Sequence, residues 1–243
     1  MLIYGKNPVL EAINSNTTIN KIYIQKNNKE LFEIKKLAKD KKVVVIDAEK
    51  SKLDKMVDNK NSQGIVASIT DFKYSDIEDI IEVAKARDEE PFVLVLDKIE
   101  DPHNLGAIIR TAECLGVHGI IIQKRNSCQV TDTVEKVAAG ACSYMKVARV
   151  ANITESIKKL KEYGLWVYGL DMEGSTKIYD TKLEGAIALV VGNEGSGISR
   201  LVKENCDFVL NIPMTGKINS LNASVSAAIS VYEVVRQKNS KIK

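Results

Sequence analysis

Residues 91–110 read Pro91-Phe92-Val93-Leu94-Val95-Leu96-Asp97-Lys98-Ile99-Glu100-Asp101-Pro102-His103-Asn104-Leu105-Gly106-Ala107-Ile108-Ile109-Arg110. Residues 92–96 are all apolar, with no polar alternation. Such a run predicts a strand buried on both faces. A polar turn follows, then a helix predicted over 105–115. The same succession repeats downstream. Further strands are predicted at 119–122, 145–150, 165–170, 187–191 and 208–212, with helices at 132–139, 153–163, 199–205 and 221–237. Val/Ile/Leu runs joined by helices argue an α/β fold with a mostly parallel sheet covered on both sides. In such sheets, ligands bind beyond the C-terminal ends of the strands. Attention therefore falls on 97–110, 192–199 and 213–222.

Upstream, the first 75 residues predict a smaller α/β unit. It has helices at 6–13 and around Leu31, Ile34, Leu37 and Ala38, and strands at 19–25, 43–46 and 65–69. Charge separates the parts. Residues 1–75 hold 14 Lys/Arg against 9 Asp/Glu, a net of +5; residues 76–90 net −5; residues 91–243 net +3. The chain is therefore expected to comprise a domain at 1–72, an acidic helix and linker at 73–90, and a second domain at 91–243.

The 243 residues are 44% hydrophobic and 28% charged, as in an ordinary globular protein. The longest apolar run, 186–192, is far shorter than the roughly 20 residues that span a bilayer. The N-terminus lacks an apolar secretory segment, so a cytoplasmic protein is expected. Cys114, Cys128, Cys142 and Cys206 show no C-x-x-C spacing, and there are only two histidines, so no metal and no disulfide are expected. The thiols are expected to pack as small apolar groups. The lone Trp166 is expected in the core, and His118 is expected to be structural or exposed.

Each loop holds candidate site residues. Asn104 is placed to cap the helix that follows it. Arg110 is a long cation on an apolar helix, suited to a phosphate or ribose unless it only lies along the surface. The run Val191-Gly192-Asn193-Glu194-Gly195-Ser196-Gly197 spaces its glycines G-x-x-G-x-G. That is neither the dinucleotide fingerprint nor a Walker loop, which argues against a dinucleotide oxidoreductase. Glycine at 192 would let a ligand approach the backbone. Glu194 suits a cationic or hydroxyl-bearing ligand better than a pyrophosphate. Ser220 or Asn222 can cap the last helix, whose Ala223, Ser224, Ala227 and Ala228 leave a slim face for close packing.

Together, D-P-H-N-L-G-A-I-I-R at 101–110, V-G-N-E-G-S-G at 191–197 and I-P-M…S-L-N-A-S-V-S-A-A-I at 212–229 resemble the SpoU/TrmH branch of the SPOUT superfamily, the RNA ribose 2′-O-methyltransferases. Ile3-Tyr4-Gly5, Glu11-Ala12 and Gln63-Gly64-Ile65-Val66-Ala67 resemble the small RNA-binding domain of the 23S rRNA guanosine type, with Ser62 standing where that pattern carries His. The resemblance implies a SPOUT-type sheet with a C-terminal trefoil knot, preceded by an RNA-binding domain. It implies S-adenosylmethionine bound at Gly192, Ile212 and Leu221, and a reaction site of Arg110, Asn104, Glu194, Ser220 and Asn222. It also implies a homodimer acting on RNA, with methyl transfer to a ribose 2′-hydroxyl, most simply of a guanosine in 23S rRNA. A tRNA guanosine methyltransferase is the nearest alternative. A non-catalytic RNA-binding module is the other; it should have lost Arg110 or Glu194, and both are present. Tyr4 and Lys6 are further candidates for RNA contact, while His103 is not required by the family pattern.

Overall fold

The computed structural model describes residues 1–15, 17–70, 72–217 and 220–240. The chain divides into two units: Met1–Lys73 with Val130–Asp132, and Tyr74–Gln129 with Thr133–Lys243.

The first unit contains β1 (Leu2–Tyr4), α1 (Lys6–Asn14), β2 (Thr18–Gln25), α2 (Phe32–Asp40), β3 (Val45–Ala48), α3 (Lys50–Met56) and β4 (Ile65–Thr70). Its sheet runs β1-β4-β2-β3. β4 is antiparallel to both neighbours, and β2 and β3 are parallel. One core cluster joins Val9 and Ile13 of α1 and Ile34 and Ala38 of α2 to Ile22, Ile24, Ile65 and Ala67 of the sheet. A second, smaller cluster packs Leu53 of α3 with Val66 and Ala48. β3 starts two residues later than its β-branched run predicts: Val43 N–H reaches back to Ala38 O at 2.9 Å and closes the turn out of α2, while Val44 O already accepts the Ile22 N–H of β2 at 2.8 Å.

The second unit contains α4 (Ile77–Ala86), β5 (Phe92–Leu96), α5 (Pro102–Cys114), β6 (Gly119–Gln123), α6 (Asp132–Ala138, its first residue grouped with the first unit), β7 (Lys146–Val150), α7 (Ile153–Glu162), β8 (Trp166–Leu170), β9 (Thr176–Lys177), β10 (Ile187–Val191), α8 (Arg200–Asn205), β11 (Phe208–Asn211) and α9 (Ala223–Asn239). The strands form one sheet, β7-β6-β5-β10-β8-β11-β9, and every pair in it is parallel. All five residues of both β5 and β10 are buried, as continuous apolar runs require when helices cover both faces. Val93, Val95, Ile121, Val167 and Val190 pack with residues of α4, α7 and α8. α9 packs on α5 and β10.

Residues 73–90 carry the expected helix, but not as a solvated linker. They carry α4, started by a reciprocal capping box of Asp76 and Asp79. Ile77, Ile80, Ile81 and Ala84 are buried in the second unit's core. A fully buried isoleucine contributes about 1.5–3 kcal/mol. The net charge of −5 sits on the outer face and conceals this apolar stripe. Trp166 is also corrected: it opens β8 at 54% exposure, beside the half-exposed ring of Phe208 at 5.9 Å between centroids. The four cysteines are free thiols. Burial pushes the thiol of Cys206 up to about 12 and that of Cys142 up to about 11, which keeps both protonated and unreactive. No helix among the described residues is long and apolar enough to cross a membrane.

Candidate active site

The site lies where β5 and β10 end side by side. Asp97, the first residue after β5, is 1% exposed. Its N–H donates to Val191 O at 2.9 Å, and its Oδ2 accepts the N–H of Ser199 at 2.6 Å. One residue thus holds both ends of the glycine loop that leaves β10. Its Oδ1 is buried with no partner among the described residues. Sequence reasoning passed over Asp97; its signal was a carboxylate directly after a fully buried run.

Within the loop, Asn193 and Gly197 exchange backbone hydrogen bonds of 3.1 and 2.8 Å. A Cβ at Gly192 would lie 2.2 Å from the carbonyl carbon and oxygen of Gly197. No side chain fits there. The glycine is needed because the loop folds back on its own backbone, a stricter demand than the ligand approach its spacing suggested. Gly197 takes φ +62°, a conformation glycine adopts freely.

Asp101, not Asn104, caps α5. Its Oδ1 accepts the N–H groups of His103 at 2.5 Å and Asn104 at 3.3 Å, and Pro102 occupies the first helical position. The expected capping role of Asn104 is therefore corrected, and its side chain is released for other work. Buried at 8% exposure, it donates from Nδ2 to Glu194 Oε1 at 2.5 Å. Its Oδ1 accepts from Asn222 Nδ2 at 2.9 Å. Asn222 also donates to Glu194 Oε1 at 3.0 Å, and Ala223 N–H approaches the same oxygen at 3.4 Å.

The orientation of these amides follows from one constraint. Asn222 is the N-cap of α9, so its Oδ1 must face the N–H groups of Ser224 and Val225, at 2.9 and 3.4 Å. Its Nδ2 is then turned toward Asn104, whose oxygen must accept and whose nitrogen must donate to Glu194. Glu194 Oε1 is saturated by three donors. Oε2 carries no hydrogen bond among the described residues and is left to receive a hydroxyl or a cation. The positive end of α9 faces the carboxylate favourably.

Gly192, Glu194, Ile212, Ser220 and Leu221 line one cavity of about 260 Å³. The apolar part of its wall comes from Leu170, Val191, Ile212, Met214 and Leu221; the polar part comes from the glycine-loop backbone and the carboxylates of Asp171 and Glu173. Asp171 also pairs with Lys203 at 3.1 Å. Ile218 and Asn219, within the third motif, lie outside the described residues.

Arg110 stands apart. It is exposed, six residues beyond Asn104 on α5, so roughly 9 Å along the axis and about 120° around it. No hydrogen bond or ion pair among the described residues joins it to the amide cluster. His103 is exposed. His118 is buried: its Nδ1 accepts the Phe92 N–H at 2.9 Å, and its Nε2 lies 2.9 Å from Glu89 Oε2, so it is structural. No group of His, Cys, Asp or Glu among the described residues is arranged to hold a metal ion.

Both units of the chain are similar to known proteins. Residues 91–232 match the model of the SpoU rRNA methylase family, and residues 2–75 match one described as RNA 2′-O ribose methyltransferase substrate binding. A protein of Staphylococcus saprophyticus, named for the TrmH family of tRNA/rRNA methyltransferases, is 46% identical over 98% of this chain and 96% of its own. YacO of Bacillus subtilis, named for the same family, is 40% identical over the same shares. In fold, the chain is similar to the SpoU methyltransferase AviRb of Streptomyces viridochromogenes, solved with AdoMet: TM-score 0.63, 24% identity, 99% of this chain and 91% of that one. The chain belongs to the SpoU family of RNA methyltransferases.

Proposed function

We propose that the protein transfers a methyl group from S-adenosylmethionine to a ribose 2′-hydroxyl of RNA, most specifically of a guanosine in 23S rRNA. The observation that carries this reading is the closed triangle of Asn104, Glu194 and Asn222, set beside a cavity that Gly192, Ile212 and Leu221 line.

The cavity fits the cofactor. Apolar walls suit the adenine and the carbon skeleton, loop backbone groups can read its polar edges, and the nearby carboxylates complement a cation. When bound, S-adenosylmethionine supplies an electrophilic methyl group on a sulfonium. The chain's own residues do the rest. Gly192, Ile212 and Leu221, which line the cavity, would hold the cofactor, largely through backbone. Glu194, fixed by two amides and one N–H, and Ser220 on the cavity rim orient the ribose hydroxyls. Arg110, which stands apart from the triangle within one copy of the chain, would meet it across the homodimer proposed below, bind the neighbouring phosphate and stabilise the charge that develops on the 2′-oxygen. With a pKa above about 12 it is a poor base, so its work is electrostatic. Positioning the 2′-oxygen by these residues would supply much of the remaining acceleration, the hydroxyl losing its proton and S-adenosylhomocysteine leaving as the methyl group is transferred.

Two structural expectations belong to this reading. The second unit is tied in a trefoil knot, supported by the return of residues 220–223 to the glycine loop, where Ala223 N–H meets Glu194. The protein works in the cytoplasm as a homodimer, supported by the exposed apolar stripe of Val225, Ile229 and Tyr232 on α9.

The rRNA assignment draws on the N-terminal unit and its substrate-binding match. The test is incubation of unmodified 23S rRNA and tRNA with labelled S-adenosylmethionine, followed by mapping of alkali-resistant linkages. One labelled guanosine in 23S rRNA is expected. Transfer to tRNA alone overturns the rRNA assignment. Cofactor binding without transfer to any RNA overturns the methyltransferase reading.

A further inference from the structure

Three segments of the first unit meet at one end of its sheet, where β1 and β2 finish and β4 begins: residues 4–7, 25–32 and 60–64. Hydrogen bonds lock them together. Gly5 N–H donates to Ile65 O at 3.1 Å, Gln25 N–H to Gly64 O at 2.8 Å, and Lys6 N–H to Gln63 Oε1 at 3.0 Å. A Cβ at Gly64 would stand 2.7 Å from Gln25 Oε1, so the loops pack at contact distance.

What these loops present is unusual for a solvated surface. Their 17 residues hold six side-chain amides, Asn7, Gln25, Asn27, Asn28, Asn61 and Gln63, and four lysines against one glutamate. Two of the lysines, Lys6 and Lys26, pair with Glu30 and Glu49 in exposed ion pairs, which are weak and yield readily to a phosphate. Lys29 has no acidic partner among the described residues. Phe32 lies 64% exposed at the start of α2. The stretch that ends α2 is also rich in lysine, at Lys36, Lys39, Lys41 and Lys42, but it carries no amide and no exposed ring.

We infer that this end of the sheet holds an unpaired stretch of the RNA substrate. Lysines take the phosphates, amides, which both donate and accept, meet the base edges, and Phe32 stacks beneath a base. The inference rests on RNA being the substrate and assigns where the first unit grips it.

The test compares the wild-type protein with a Lys26→Ala, Lys29→Ala, Phe32→Ala variant and a control, Lys39→Ala with Lys42→Ala. Each is titrated with unmodified 23S rRNA transcript, in methyl transfer and in equilibrium binding at two salt concentrations. The triple variant is expected to raise both KM and Kd for RNA at least tenfold. Loss of two phosphate contacts should also lower its salt slope by about 1.4. Its affinity for S-adenosylmethionine alone and its melting temperature should match wild type, and the control should change RNA binding less than twofold. RNA affinity of the triple variant within twofold of wild type overturns the inference, as does an equal loss in the control. If the wild type binds cofactor and methylates no RNA, the catalytic reading fails separately, and the equilibrium titration still decides whether this end of the sheet holds RNA.

Discussion

The two ends of the seven-stranded sheet carry buried polar groups to opposite effect. At the N-terminal ends of the strands, His118, Glu89 and Lys238 surround a cavity of about 530 Å³, roughly twice the volume at the other end. Yet His118 spends its Nδ1 on the Phe92 backbone, and the Lys238 ammonium lies over the Phe92 ring at 5.3 Å. These groups finish the fold. At the C-terminal ends the smaller cavity sits beside side chains that bind one another, from Asn104 to Glu194 to Asn222, and leave a carboxylate oxygen over. Cavity size does not distinguish the ends; the destination of the hydrogen bonds does.

The contrast can be broken most decisively at Glu194. Glu194→Gln keeps the shape and removes the charge, and kcat should fall about 10²–10³-fold with the melting temperature unchanged. A kcat within threefold of wild type would mean that the triangle is only structural. Gly192→Ala comes next. Relief of the overlap with Gly197 costs about 1–3 kcal/mol, so calorimetry should show S-adenosylmethionine bound roughly tenfold or more weakly, with RNA affinity intact. Asp97 tests whether the glycine loop is clamped as drawn. Asp97→Ala leaves the Ser199 N–H without its acceptor and should lower unfolding free energy by about 1–3 kcal/mol in urea. Asp97→Asn retains an acceptor and should recover part of that loss; equal losses in both variants would argue against the clamp.

The smallest effect belongs to the other end. Burial holds the His118 imidazole below its ordinary value of about 6.5, against a lesser upward pull from Glu89. The folded chain therefore keeps His118 neutral where the unfolded chain begins to take up a proton. Its contribution to stability is complete above pH 6.5 and declines as pH falls from there toward the folded-state value. His118→Gln should flatten the melting-temperature profile between pH 6.5 and 5 relative to wild type. Parallel profiles would show that the imidazole is not held as described.

Much of the second unit was legible because strands buried on both faces lose their alternation, and the runs at 92–96 and 187–191 announce themselves. The cap of α5 was readable and missed: Asp101-Pro102 is a stronger start signal than Asn104 two residues on. The segment 76–90 was misjudged because net charge averages a helix over its faces, whereas Ile77, Ile80, Ile81 and Ala84 repeat at helical spacing. The three motifs pointed to Asn104, Glu194 and Asn222. Their mutual contacts lay beyond any local signal, since the partners stand 90 and 118 residues from Asn104. Asp97 escaped because its two partners, Val191 and Ser199, meet it only after β10 has been inserted beside β5.

The double engagement of Asn222 restricts what evolution can do with that position. At an ordinary helix start, serine, threonine, aspartate and asparagine exchange at little cost, because each offers the oxygen that the first turn wants. Here serine and threonine would cap α9 and offer nothing comparable to the amide nitrogen that reaches Glu194. Aspartate would set a second carboxylate against it. A position that looks interchangeable by secondary structure thus admits one residue by chemistry, and the helix start and the charge of the site must drift together or not at all.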